Sequence, residues 1–247
     1  MNGGNSDNID NGNNILIVDN VHTYIGDFYI LQGVSIRVKQ NEITAVLGRN
    51  GAGKTTLLRT IIGFYKPRTG KVIFKGKDIT GVPTHKIAKL GISYVPSERA
   101  IFKDLTVEEN LKIAYYDPKE KFNERLEFIF ELFPDLKRLY KHKGRNLSGG
   151  QQKMLAISCG LINDVSLLLL DEPSEGLSPK YVMELFETIS NLSDRVAILI
   201  VEQNFSIVKK VANFGYLIDN GKIVASGPMN ELSGNKELLL KYLGVWR

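Results

Sequence analysis

The octapeptide GRNGAGKT, residues 48–55, restricts the fold of this chain more than any other segment. It fits the pattern GxxxxGK[ST] at every fixed position, follows the apolar stretch 43–47 and opens a pattern typical of a helix. Glycines in such a loop let backbone N–H groups converge on a phosphate at the positive end of a helix. The segment therefore predicts a nucleoside triphosphate site between a buried strand and a helix.

The side chains of this predicted phosphate loop have separate roles. Lys54 can reach the terminal phosphates, and the Thr55 hydroxyl is a suitable ligand for Mg²⁺. The predicted nucleotide-binding residues of the loop are Gly48, Arg49, Asn50, Gly51, Ala52, Gly53, Lys54, Thr55 and Thr56.

A second segment, SLLLLDE at residues 166–172, predicts a buried strand that ends in two acids. The carboxyl end of such a strand lies at the edge of the sheet where ligands bind in α/β folds. Asp171 can hold Mg²⁺, directly or through water, and Glu172 can orient the water that attacks the γ-phosphate. Four leucines and two acids mean little alone, but downstream of a complete phosphate loop they favour a catalytic role.

The third segment, LSGGQQ at residues 147–152, predicts the start of a helix. Ser148 is a favourable N-cap, and the glycines that follow leave the N–H groups of the first turn accessible. An ordinary helix cap explains these residues without function. An open helix start is also an anion site, and a second one suggests two chains that share two nucleotides.

The remaining pattern predicts an α/β fold in which a mixed sheet combines a parallel centre with antiparallel strands. Predicted strands are 15–18, 34–38, 43–47, 71–74, 92–95, 167–170, 197–201 and 214–218. Asn220-Gly221 predicts a tight hairpin. Residues 104–146 read as helices, and the apolar stripe within 119–133 fits either core packing or a docking surface for a partner helix. Residues 1–14, rich in Asn and Gly, predict a disordered tail.

Composition excludes several classes of protein. One cysteine, Cys159, rules out an internal disulfide and a zinc site built from cysteines. Cys159 itself is expected to pack as a small apolar residue. The net charge of +5 suits an anionic partner, but the charge alone favours a solvated surface with a few extra lysines. No segment approaches the 18 or more apolar residues of a membrane span.

In this order and spacing, GRNGAGKT, LSGGQQ and LLLLDEPSEGLSP resemble the ATP-binding subunit of an ABC transporter. The resemblance covers residues 15–247 and implies a P-loop NTPase (RecA-like) core with an antiparallel part and a helical lobe at about 104–146. The segments YVPSERAIFKDLTVEENL, VEQNF and IDNGKIVASG are similar to the second ATPase subunit of branched-chain amino acid importers.

The family resemblance implies roles for several further residues. Tyr24 matches the aromatic residue that stacks on adenine, because a base presents a π-face to an aromatic ring. Gln203 matches the position that reaches the γ-phosphate, so Glu172, Gln203 and Lys54 are the implied catalytic residues, and Thr55 and Asp171 the implied Mg²⁺ ligands. Ser148, Gly149, Gly150 and Gln151 match the signature that meets the ATP of the opposite chain.

Two positions depart from the general pattern of the family. Where most members have a glutamine that contacts Mg²⁺ and water, this chain has Ser97, followed by Glu98. Where most have a histidine, it has Gln203, which can donate to phosphate but cannot gain positive charge. The short hydroxyl of Ser97 leaves two expectations open: either water or Glu98 substitutes for the glutamine, or the loop serves to couple the ATPase to a membrane partner.

The resemblance implies an ATPase that drives a membrane importer from the cytoplasmic face, as a peripheral subunit. Its implied partners are two hydrophobic membrane subunits, a second ATPase subunit in a heterodimer or homodimer, and indirectly an extracytoplasmic solute-binding protein. Branched-chain amino acids are the expected cargo, with urea or short amides as an alternative. An ATPase of the same superfamily acting on nucleic acid or ribosomes is less favoured, and no nucleic acid partner is expected. A GTPase is disfavoured because NKxD is absent.

Overall fold

A computed structural model describes residues 13–98, 100–116 and 121–244. Of the predicted tail, residues 1–12 lie outside this described part of the chain, and the first strand already includes Asn14. The chain forms an α/β arrangement of two sheets with helices packed against them, which is the predicted fold class.

Ten strands are present in the described residues. In chain order they are β1 (Asn14–Ile25), β2 (Phe28–Lys39), β3 (Ile43–Leu47), β4 (Thr69–Phe74), β5 (Lys77–Asp78), β6 (Ile92–Val95), β7 (Leu167–Asp171), β8 (Ala197–Glu202), β9 (Phe214–Asp219) and β10 (Lys222–Pro228). Every predicted strand is found. β1 and β2 extend well beyond their apolar centres, because the two pair with each other along their whole length.

The larger sheet has the strand order β10-β9-β3-β8-β7-β6. Five neighbouring strands, from β9 at one side to β6 at the far edge, are parallel, and β10 pairs antiparallel with β9. All residues of β3, β7 and β8 are buried, as expected for strands covered on both faces. The carboxyl ends of these three neighbouring strands therefore meet at one edge, which is where the site is built.

The smaller sheet is antiparallel, with the order β2-β1-β4-β5.

The predicted hairpin at Asn220-Gly221 joins β9 to β10, and both residues have positive φ, 45° and 74°. A two-residue turn of this kind needs that conformation. Gly221 is required for a second reason: a Cβ there would lie 1.8 Å from the backbone oxygen of Ile30 in β2.

Ten α-helices are found in the described residues: α1 (Lys54–Ile61), α2 (Thr84–Ala88), α3 (Val107–Ala114), α4 (Phe122–Leu132), α5 (Pro134–Arg138), α6 (Gly149–Leu161), α7 (Pro179–Leu192), α8 (Phe205–Val208), α9 (Met229–Gly234) and α10 (Lys236–Leu243). A 3-10 helix spans Gly144–Asn146. Helices α3 to α5 lie within residues 104–146, where the sequence predicts helices.

The apolar stripe of α4 packs into the core. Leu126, Ile129 and Phe130 are buried, and Phe133 beyond the helix end joins the same cluster. Core packing therefore explains this stripe without a partner helix. Cys159 on α6 is half-buried against that cluster, and burial raises the pKa of its thiol to about 12. It packs as a small apolar residue, as expected.

Candidate nucleotide-binding site

The phosphate loop, residues 48–55, joins the carboxyl end of β3 to the start of α1. Gly51 and Gly53 have φ of 80° and 110°, which a residue with a Cβ rarely adopts. Gly48 is required by contact, since a Cβ there would lie 2.5 Å from the backbone oxygen of Ile218. These glycines allow the chain to turn tightly into a helix whose first N–H groups have no intrahelical partner.

Lys54 is 4% exposed and has three oxygen neighbours. Its Nζ donates to the backbone oxygens of Gly48 at 2.9 Å and Arg49 at 3.1 Å. Glu172 Oε1 lies 3.0 Å from the same Nζ. The two carbonyls hold the side chain along its own loop, and the carboxylate balances its charge, so the ammonium is positioned before any phosphate arrives.

Asp171 receives two hydroxyl hydrogen bonds at the carboxyl end of β7. Thr55 Oγ1 donates to Oδ1 at 2.9 Å, and Tyr94 Oη donates to Oδ2 at 2.9 Å. Burial raises the pKa of Asp171, and these two hydrogen bonds oppose that rise. Burial likewise raises the pKa of Tyr94 to about 12, so the phenol remains a donor at neutral pH.

The oxygen atoms of Thr55 and Asp171 fit a magnesium ion, because Mg²⁺ prefers carboxylate, hydroxyl and phosphate oxygens. Within the described residues no three His, Cys, Asp or Glu side chains cluster in a way that could hold a metal. The remaining ligands of a magnesium ion at this position would be other oxygen atoms, which phosphate and water can both supply.

Glu172 has a left-handed backbone conformation, with φ of 44°. This is uncommon for a residue other than glycine, and such conformations cluster at functional sites. Its N–H donates to the backbone oxygen of Val201 at 2.9 Å, which fixes the turn against β8. The turn directs the carboxylate to Lys54, at the edge of the sheet that carries the phosphate loop.

Tyr24, at the end of β1, stacks on Tyr29 of β2 with ring centroids 4.5 Å apart and planes 5° from parallel. The Arg68 guanidinium lies 3.9 Å from the Tyr24 ring centroid. Tyr24 is half-buried and Tyr29 is exposed. Both neighbours already lie over the Tyr24 ring, so a purine base would compete with them for its faces.

The signature segment, residues 147–152, begins α6 as the sequence predicts. Ser148 is the N-cap: its Oγ accepts from Gln151 N at 3.3 Å, and Gln151 Oε1 accepts from Ser148 N at 3.0 Å. Gly149 is exposed with open space where a side chain would be, whereas a Cβ at Gly150 would lie 2.6 Å from the Tyr181 ring. The two signature glycines therefore face different surroundings.

The structure brings together only part of the predicted site. Lys54 pairs with Glu172, and Thr55 donates to Asp171. No hydrogen bond or ion pair joins residues 148–151 to the phosphate loop within the described part of the chain. Arg49, Asn50 and Gly51 are exposed, and Gln203 is exposed just beyond β8. Thr56 contributes its backbone oxygen to Thr60 Oγ1 at 2.8 Å.

Three contacting residues were missed by sequence reasoning. Tyr94 Oη donates to Asp171, and Glu202 Oε2 accepts from the backbone N–H of Gln203. Lys153 Nζ donates to the Ser97 backbone oxygen at 2.9 Å. Burial lowers the pKa of Lys153, while nearby carboxylates, Glu175 and Glu202 foremost, act against that change. A charged residue inside an otherwise apolar helix is the one signal that could have pointed to Lys153.

Comparison with known proteins gives a consistent set of relatives. The sequence family described as ABC transporter matches residues 31–175. The chain is 39% identical, over 93% of its length and 100% of the relative, to a "High-affinity branched-chain amino acid transport ATP-binding protein" of Pseudomonas aeruginosa. It is also 39% identical to a "Probable branched-chain amino acid transport ATP-binding protein" of Archaeoglobus fulgidus, over 89% of this chain and 94% of that one.

A solved structure shares the whole fold. An ATP-binding cassette of an ABC transporter in its ADP conformation superposes with a TM-score of 0.82 at 31% identity, covering 94% of this chain and 99% of the other. No helix within residues 13–98, 100–116 and 121–244 is both long enough and apolar enough to cross a membrane.

Proposed function

Because the chain belongs to the ABC transporter family of ATP-binding proteins and is an ATPase, we propose that it powers an importer of branched-chain amino acids. The observation that carries the catalytic part is the contact network of Lys54, Thr55, Asp171 and Glu172 at one edge of the parallel sheet. The cargo is inferred from the two relatives, whose names both refer to branched-chain amino acid transport.

The proposed ATP site uses the loop and its neighbours. The backbone N–H groups of residues 48–56 and the Lys54 ammonium bind the phosphates, and Tyr24 stacks on the adenine. Thr55 and Asp171 hold Mg²⁺, which supplies charge neutralisation to the phosphate oxygens when bound. The phosphate and metal assignments are supported by the two hydroxyl donors to Asp171 and by the buried, preorganised Lys54, and the Tyr24 assignment rests on the family resemblance.

Hydrolysis requires a water oxygen to bond to the γ-phosphorus while the bond to the bridging oxygen of ADP breaks. We assign Glu172 as the residue that orients this water and accepts its proton. Gln203, at the end of the neighbouring strand, is suited to donate an N–H to the γ-phosphate. A carboxylate fixed in a strained turn is preorganised for this role, and preorganised groups lose little energy in the reaction step.

The signature segment points to a second chain. Ser148 and Gly149 are exposed at the start of α6, and among the described residues no hydrogen bond or ion pair joins them to the phosphate loop of the same chain. They are suited to meet the ATP of a partner ATPase subunit, in a heterodimer by family expectation or in a homodimer. Closing of this dimer on two nucleotides would drive the membrane subunits, as a ligand-driven shift between two states.

A groove of about 330 Å³ offers a place for those membrane subunits. It lies among α2, β6 and the end of α3, and two of its aromatic side chains are unusually exposed, Phe64 at 62% and Tyr116 at 48%. Exposed aromatic groups beside a concave apolar surface are typical of interaction sites. We propose that a short helix of a hydrophobic membrane subunit binds here, which places the chain at the cytoplasmic face as a peripheral subunit.

Uptake by cells tests this function. Cells that carry Lys54→Ala in place of the natural subunit are expected to lose uptake of leucine, isoleucine and valine, because the variant loses an essential phosphate ligand. Loss of urea or acetamide uptake, with normal leucine uptake, would instead assign the chain to a short-amide importer. Normal uptake of the three amino acids, urea and acetamide, together with ATP hydrolysis by purified Lys54→Ala, would contradict the proposed ATP site.

A further inference from the structure

The carboxylate of Glu202 binds the backbones of two separate loops. Glu202 ends β8 and is 2% exposed. Its Oε1 accepts from Ser174 N at 2.8 Å, and its Oε2 accepts from Gln203 N at 3.0 Å and from Asn204 N at 3.3 Å. No ion pair to Glu202 is found among the described residues. The charge of this buried group is thus compensated by three N–H donors, which is a strong arrangement.

The two loops held by Glu202 are those that flank the proposed reaction. Ser174 belongs to the 173–177 loop, which begins directly after Glu172. Gln203 and Asn204 form the short connection between β8 and α8. The backbone of Glu202 adds a third segment, because its carbonyl oxygen accepts from Gly48 N at 3.3 Å. One buried residue therefore touches the phosphate loop, the loop after Glu172 and the segment of Gln203.

Packing alone does not call for a carboxylate at this position. An apolar side chain would fill the same space, but three partly buried N–H groups would lose their acceptor, and each loss costs free energy where water cannot replace the carboxylate. A single amide oxygen also cannot replace both oxygen atoms of the carboxylate. The three N–H donors therefore match a carboxylate at this position. Because they belong to two different loops, the carboxylate links these loops instead of capping a single helix.

We propose that Glu202 is a positioning residue. It holds the backbone of Gln203 at a fixed position relative to the 173–177 loop, so that this loop and the connection between β8 and α8 move together. This inference rests on the proposed function, in which Gln203 reaches the γ-phosphate. A displacement of the 173–177 loop by a partner chain is passed through the carboxylate to Gln203. In this proposal Glu202 acts through Gln203 and is not itself a phosphate ligand.

The first test uses Glu202→Gln, with Glu187→Gln as the matched control. Glu187 is exposed on α7. The amide of Glu202→Gln has one acceptor oxygen, so one of the loops is released. We expect kcat for ATP hydrolysis to fall about 10-fold or more, the equivalent of roughly 1.4 kcal/mol, while KM and ATP binding to the single subunit remain close to the natural values. The control should hydrolyse ATP normally.

The second test separates positioning from general destabilisation. Gln203→Ala and the double variant Glu202→Gln/Gln203→Ala are compared with the single change, because residues that act as a unit give non-additive losses. If Glu202 acts through Gln203, the double variant loses no more activity than Gln203→Ala. Where Glu202→Gln does not fold, Glu202→Asp takes its place, since it keeps the charge but shortens the reach by one methylene.

The outcomes distinguish the two claims. Normal turnover of Gln203→Ala removes the proposed role of Gln203, and with it this inference. If Gln203→Ala loses ATPase activity and the double variant shows a fold loss equal to the product of the two single losses, the two residues act independently. This result overturns only the role of Glu202. Unchanged kcat in Glu202→Gln, or a loss that appears in KM alone, also overturns it.

Discussion

Lys54 Nζ lies 3.0 Å from Glu172 Oε1, so the proposed phosphate-binding cation is paired with the proposed catalytic carboxylate. The pair is well shielded from solvent, because the two side chains are 3% and 22% exposed. A terminal phosphate and Glu172 therefore compete for the same ammonium. Phosphate binding to Lys54 would free the carboxylate to face the attacking water.

We expect Glu172→Gln to bind ATP at least as tightly as the natural protein, because the amide is a weaker competitor for Lys54. Hydrolysis should fall about 10²-fold or more, within the range of general base effects. Calorimetry measures the affinity and phosphate release measures the rate, with the exposed Glu184→Gln on α7 as control. Turnover near the natural level would contradict the assignment, and weaker ATP binding would contradict the competition.

Gly149→Asp is expected to leave the subunit folded and able to bind ATP while hydrolysis falls roughly 10-fold or more. A Cβ at Gly149 meets nothing within 4 Å, and an acid in the first turn of a helix is favourable by about 0.3–1 kcal/mol. The added charge would instead repel the phosphate of a partner chain.

Gly149→Asn is the neutral control of nearly equal size, and it should retain more activity than Gly149→Asp. Equal loss in both variants would show that bulk, rather than charge, blocks the proposed interface. Gly150 is a poorer choice for this experiment, because its contact with Tyr181 confounds dimer closure with packing inside the chain.

Glu98→Ala should leave the ATPase rate of the isolated subunit within about twofold, as for most surface changes, but impair uptake in the assembled transporter. Glu98 is exposed beside a cavity of about 330 Å³, and the neighbouring Ser97 is held through its backbone by Lys153. Rates are measured at limiting Mg²⁺. A large loss in the isolated subunit would place Glu98 among the metal ligands instead.

Asp171→Asn is expected to make the protein more stable at neutral pH in the absence of nucleotide, although it impairs hydrolysis. Burial raises the pKa of Asp171 above its ordinary 3.8. The folded protein thus binds this proton more tightly than the unfolded chain does, and stability is lost as pH rises through the raised pKa.

The stability advantage of Asp171→Asn should shrink as pH is lowered through the raised pKa to below 3.8, where the unfolded chain binds the proton as the folded protein does. Urea midpoints across a pH series measure it, with the exposed Asp194→Asn as control. A variant that is less stable than the natural protein at neutral pH would show that the hydrogen bonds of Thr55 and Tyr94 to Asp171 outweigh the cost of its burial.

The sequence predicts those features that depend on residues close together in the chain. The phosphate loop, the Ser148 cap and the Asn220-Gly221 turn each follow from a few neighbouring residues, because local backbone conformation and local donors determine them. The buried strands β3, β7 and β8 follow from uninterrupted apolar runs. These features determine most of the fold and bring Lys54 and Asp171 to one edge.

The contacts that the sequence does not reveal join distant segments. Tyr94 and Asp171 are 77 positions apart, and Lys153 and Ser97 are 56 apart. Glu202 precedes Gln203 directly, yet its bond to Ser174 depends on how β7 and β8 lie side by side. Such pairings are decided by packing between elements, so no local pattern indicates them.

The Ser148 hydroxyl has two potential neighbours, one in its own helix and one in another molecule. Its oxygen accepts from Gln151 N, and a hydroxyl that accepts still has a proton to donate. An aspartate would cap the helix equally well but could offer a phosphate nothing except repulsion. The folding of a single chain therefore allows several residues at position 148. In the proposed dimer, the phosphate of the partner's ATP would restrict this position to residues that can also donate a hydrogen bond.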